Sequence, residues 1–64
     1  MKFKVYGKWR YGRSYEYELG VYECSTAKEA RTKAAEEHLE LAKIRKAKTG
    51  KFNQMVPTRV VLIG

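Results

Sequence analysis

The sequence predicts a small α+β domain of order ββαβ: a three-stranded antiparallel sheet, strand order 2-1-3, with one long helix packed on one face. Three observations carry this. Residues 2–11 alternate strictly between a basic face and an apolar or aromatic one. Residues 27–48 repeat small apolar residues at helical spacing behind a capping sequence. The C-terminal stretch from Thr58 to Ile63 is β-branched and apolar.

In the first strand, Phe3, Val5, Gly7, Trp9 and Tyr11 share one face, and Lys2, Lys4, Tyr6, Lys8 and Arg10 share the other. Period two of this kind marks a strand with one dry and one wet face. Gly12-Arg13-Ser14 breaks the pattern as a turn. The second strand runs from Ser14 to Cys24, with Tyr15, Tyr17, Leu19 and Val21 alternating with Glu16, Glu18 and Gly20. Paired residues of a hairpin point to the same face. A loop over 12–14 therefore sets Tyr11 against Tyr15, Trp9 against Tyr17, Gly7 against Leu19, Arg10 against Glu16 and Lys8 against Glu18. Cys24 is out of step with Val21, so a bulge is expected at Gly20 or Tyr22.

Thr26-Ala27-Lys28-Glu29 fits a capping box, with the Thr26 hydroxyl accepting from the Glu29 amide and the Glu29 carboxylate from the Thr26 amide. The helix is expected from Ala27 to about Lys48 and a left-handed stop at Gly50. One helix face collects Ala27, Ala30, Ala34, His38, Leu41 and Ala42, small enough to sit close to a sheet of large rings. Residues 51–57 read as a loop with Phe52 and Met55 tucked beneath it, and Pro57 is suited to an edge strand. In the third strand Val60 and Leu62 point to the helix, and Arg59, Val61 and Ile63 point away.

The length of 64 residues allows a single domain, 1–64, and a thin core. One Cys cannot make an internal disulfide, and one Cys and one His without any Asp cannot furnish a four-ligand zinc site. No cofactor or metal is expected. No apolar run approaches the ~20 residues of a membrane span, so no membrane partner is expected. The N-terminus has no signal-like stretch. The simplest reading is a soluble, cytoplasmic, complete small protein.

The net charge of +7 is unevenly placed. Residues 1–13 carry five bases and no acid, and residues 43–51 carry Lys43, Arg45, Lys46, Lys48 and Lys51 with no acid. In the 2-1-3 topology the hairpin tip, the helix C-terminus and the start of strand three meet at one end. Arg10, Arg13, Lys43, Arg45, Lys46, Lys48, Lys51 and Arg59 should cluster there, with Tyr11 and Tyr15 beside them. Cations that track phosphates, interleaved with rings that stack on bases, are what nucleic-acid binding needs. The nucleic-acid-binding candidates are therefore Arg10, Tyr11, Arg13, Lys43, Arg45, Lys46, Lys48, Lys51 and Arg59, for RNA or DNA. Trp9 and Tyr17 fit the core instead.

No catalytic constellation is present. Cys24 precedes the helix N-terminus and His38 lies twelve residues beyond the cap, about 18 Å away at ~1.5 Å rise per residue, too far for a Cys–His dyad. The helix acids line a solvated face, and the glycines are isolated. A non-enzyme is expected. Tyr6, Tyr22, Val61 and Ile63 would form an apolar strip on the uncovered sheet face, a place for a homodimer or a protein partner. In size and style the chain resembles the compact proteins encoded by phages and other mobile elements, a likeness that rests on no motif. It implies either nucleic-acid binding or inhibition of a host protein or nucleoprotein complex within the host cell.

Overall fold

A computed structural model describes residues 1–64. Strands β1 (Lys2–Trp9) and β2 (Tyr17–Glu23) are followed by helix α1 (Ala27–Thr49) and strand β3 (Met55–Leu62). The three strands form one antiparallel sheet of order β2-β1-β3, with the helix on one face, as the alternation in the sequence predicts. The helix, about 34 Å long at 1.5 Å per residue, sets the longest dimension of a molecule measuring 38 × 21 × 13 Å.

The core lies between the sheet and the alanine face of α1. Phe3, Val5, Leu19, Ala30, Ala34 and Met55 are buried together, and Trp9, Tyr22, Cys24 and Val60 pack around them. Alanine contributes little area but lets the helix approach, so the large side chains come from the sheet. Gly7 marks the tightest point. A Cβ there would collide with the Val56 carbonyl oxygen and lie 2.8 Å from Leu19 Cδ1. Ala27 and Leu41, expected on the inner face, are exposed. Phe52 is exposed as well, and Met55 alone of the loop pair is buried.

Thr26 caps the helix, its hydroxyl accepting from the Glu29 amide at 3.1 Å. The Glu29 carboxylate accepts from the Ser25 amide (3.4 Å), one residue before the expected one. Gly50 ends the helix at φ 77°, and its N–H donates to the Lys46 carbonyl (2.8 Å).

The hairpin register corrects the expected one. Gly7 pairs with Tyr17 and Tyr6 with Glu18, two residues away from the Trp9–Tyr17 and Lys8–Glu18 pairing. The connection spans residues 10–16 instead of 12–14. A slip of two leaves the side chains ahead of the Gly20 bulge on their expected faces, so alternation alone does not choose between these registers. Contacts outside the hairpin do. Glu16, expected beside Arg10, binds Arg59 and Thr58 of β3 (2.7 and 3.2 Å); within the hairpin Glu18, expected beside Lys8, pairs with Lys4 (3.1 Å).

The predicted bulge is present beside Gly20, where the register shifts and Leu19 is the unpaired residue. It turns Val21 outward and Tyr22 inward. A Cβ at Gly20 would lie 2.9 Å from the Tyr22 hydroxyl, so glycine makes room for that ring. A second shift leaves Thr58 unpaired in β3, which begins at Met55 and carries Pro57 within an edge strand. Both edges of the sheet receive helix side chains. The Arg31 guanidinium donates to the Pro57 and Thr58 carbonyls (3.1 and 3.5 Å). On β2, Lys33 donates to the Glu23 carbonyl (3.1 Å) and His38 Nε2 to that of Leu19 (3.0 Å). Capped carbonyls of this kind blunt an edge against strand addition.

Candidate nucleic-acid interface

Two loops build one end of the molecule. The 10–16 connection leaves β1, and residues 50–54 link α1 to β3. Asn53 joins them: its Oδ1 accepts from the Tyr11 amide (3.1 Å), and its Nδ2 donates to the Tyr11 carbonyl (2.8 Å). The Arg10 amide donates to the Gln54 carbonyl (2.8 Å). Arg45 fastens the helix to the same place. Its guanidinium lies 5.0 Å from the Trp9 ring centroid and donates to the Asn53 carbonyl at 3.1 Å. The hairpin and the helix C-terminus are thereby held side by side, as the topology argument requires.

The basic candidates divide at this end. Lys46, Lys48 and Lys51 are exposed, and their ammonium groups have no carboxylate or hydrogen-bond partner. Arg10 and Arg13 have no carboxylate partner and bond only phenol oxygens, of Tyr11 (3.2 Å) and Tyr15 (3.5 Å). These five keep their charge available. Lys43 pairs with Glu40 on the same helix (3.4 Å), and Arg45 is occupied by Trp9 and Asn53. The one carboxylate of the 10–16 loop, Glu16, is drawn away to β3. The positive field at this end is therefore largely uncompensated.

The rings divide in the same way. Tyr11 is 61% exposed and Tyr15 58%, and Tyr17 and Phe52 are also exposed. Trp9 packs against the core beneath Arg45. Tyr17, expected in the core, is displaced from it by the register slip.

Arg59 does not join the cluster. It stands opposite Tyr6, midway along β1, on the sheet face away from the helix. Its guanidinium lies 4.2 Å from the Tyr6 centroid and 2.7 Å from the Glu16 carboxylate. The Arg59 hydrogen bond holds the Glu16 carboxyl below its ordinary range, and the same pair raises Arg59. Lys4 is likewise raised by its hydrogen bond to Glu18.

The strip expected on that face is also redrawn. Tyr6 is capped by Arg59. Tyr22 sits on the other side, under the helix, donating to Glu37 at 3.0 Å. Burial and then this bond push the Tyr22 phenol up to about 12. Val61 does face outward, opposite Lys4, and Lys4 in turn pairs with outward-facing Val21. Ile63 is half-exposed at the far end. A lysine stem thus runs between the two valines, and the face is a mosaic of ion pairs and short apolar side chains.

Asn53 is a residue the sequence does not single out. Asn53 stands in an ordinary turn segment, and nothing in its spacing points to a partner 42 residues away. No helix is long and apolar enough to cross a membrane. In comparisons with protein families, curated proteins and solved structures, the chain finds no match.

Proposed function

We propose that this protein binds nucleic acid through its hairpin–helix end, by phosphate contacts and without catalysing a reaction on it. The observation that carries this reading is the group of five cations without a carboxylate partner, Arg10, Arg13, Lys46, Lys48 and Lys51, gathered from two distant stretches of sequence. Surface lysines kept only for solubility need no convergence and are commonly neutralised by neighbouring acids. Here six of the seven glutamates are engaged elsewhere, by the N-terminus, Lys4, Arg59, Lys43, the helix cap and Tyr22.

The salt dependence of binding tests it. Each phosphate neutralised contributes about 0.9 to the log–log slope on a duplex and about 0.7 on a single strand. Five cations give a slope of roughly 3.5 to 4.5. Reversing Lys46, Lys48 and Lys51 to Glu should weaken binding and remove more than half of that slope. Reversing Lys2 and Lys28, at the opposite end, is the control and should change little. Equal loss from both sets points to a diffuse field without a site. Loss from neither, with a protein partner still bound, points instead to an adaptor or inhibitor acting through the open sheet face.

A further inference from the structure

The geometry points to single-stranded nucleic acid, not a duplex, as the occupant of this end, an inference that rests on the nucleic-acid reading above. Its starting point is the way the rings are held. Tyr6 and Trp9 each lie beneath a guanidinium, and the Tyr22 hydroxyl is bonded to Glu37. Those three are occupied by the fold. Tyr11 and Tyr15 are largely exposed and contribute nothing to the core.

Tyr11 is nevertheless fixed in place. Asn53 binds its amide and its carbonyl, and Arg10 Nε donates to its hydroxyl with the guanidinium 5.6 Å from the ring centroid. Tyr15 is tied by its hydroxyl to Arg13. Tyr11 and Tyr15 therefore each stand next to an uncompensated cation, and the backbone of Tyr11 is set before any ligand arrives. Pre-ordering of this kind reduces the entropy cost of binding.

A duplex can use only half of this arrangement. Its phosphates are accessible, but its base faces are stacked on each other. A single strand offers a phosphate to each cation and an open base face to each ring. The helix also disfavours a duplex. Glu36, Glu37 and Glu40 stand on its exposed middle turns, so laying α1 along a groove would bring carboxylates toward the phosphates. Only its last turns suit a polyanion.

The test measures binding of the full chain to oligo-dT, oligo-U and an oligo-dT·dA duplex at one salt concentration. Both single strands are expected to bind about tenfold or more tighter than the duplex, and the oligo-dT and oligo-U arms separate DNA from RNA. Replacing Tyr11 and Tyr15 together with Ala should weaken single-strand binding by about 30-fold or more and leave duplex binding unchanged. The Tyr11→Phe/Tyr15→Phe protein keeps both rings and should bind single strands like the wild type, with far-ultraviolet circular dichroism checking each fold. Equal affinity for duplex and single strand, with the Ala variant unaltered, overturns this inference and leaves the phosphate reading standing. No binding to any probe overturns both.

Discussion

Arg45→Ala should cost stability and leave nucleic-acid affinity nearly unchanged, although the sequence places Arg45 in the middle of a basic block. The guanidinium sits 5.0 Å from the Trp9 centroid. An interaction of this type contributes about 0.5–1 kcal/mol when exposed and about 2 when desolvated. Its hydrogen bond to the Asn53 carbonyl is charge-assisted, and such bonds contribute about 1.5–3 kcal/mol. Arg45 is only half-buried, so the low end of both ranges applies, and the loss should be about 2 kcal/mol. A chain this size has about 3–10 kcal/mol in total, at the usual stability per residue. With a urea dependence of about 1 kcal/mol/M for a small domain, the unfolding midpoint should fall by about 2 M. Trp9 is the only tryptophan, so its fluorescence reports both the unfolding and the lost contact. Arg45→Lys should recover little, because an ammonium cannot reproduce the planar stack and the directed bond together. An unchanged midpoint with a salt slope lowered by about one contact would refute this reasoning and return Arg45 to the phosphate-binding set.

Three further predictions concern the frame that holds the site. Gly7→Ala should destabilise the fold by about 1–3 kcal/mol, because the new Cβ meets the backbone of β3, which cannot swing away as a side chain can. A thermal or urea midpoint equal to wild type would show that β3 does not run so close. Glu16, whose carboxyl Arg59 holds below its ordinary range, contributes stability that is full above the usual glutamate pKa. That contribution disappears as pH falls through the lowered value. Glu16→Gln should therefore flatten the acid limb of the stability curve, and identical acid limbs in variant and wild type would contradict the pairing. Tyr22, raised to about 12, contributes stability that is present below the ordinary tyrosine pKa of about 10 and is lost as pH rises through 12. Phenolate absorbance should show one of the five tyrosines titrating after the rest, and Tyr22→Phe should abolish that late step. Simultaneous titration of all five would place Tyr22 outside the helix–sheet interface.

The fold was legible because its signals are local. Alternation in residues 2–9, the Thr26 cap with Gly50 as stop, and the alanine spacing at 30, 34 and 42 each fix an element from neighbours a few residues apart. What was not legible depends on partners far apart in sequence. The hairpin register turns on Glu16 reaching Arg59, 43 residues away. A two-residue slip preserves every face up to the bulge, so alternation within that stretch could not reveal it. The same holds for the candidate site. Its location followed from topology, because the two basic blocks must meet if the strand order is 2-1-3. Its membership did not. Arg45 and Arg59 read as free cations until Trp9, Asn53, Tyr6 and Glu16 are seen beside them. The slip near Gly20 was visible as a phase mismatch before Cys24, but its consequence, Tyr22 beneath the helix, needed the bulge to be placed.

Backbone amide shifts followed by nuclear magnetic resonance during titration with oligo-dT test the central claim most directly. The amides of residues 10–15 and 46–53 should move together and saturate at one ligand concentration, while those of Lys2, Lys28 and the open sheet face around Lys4, Tyr6 and Val61 stay in place. Shifts centred on Lys4, Tyr6 and Val61, or spread evenly over every lysine and arginine, would contradict a binding site at the hairpin–helix end.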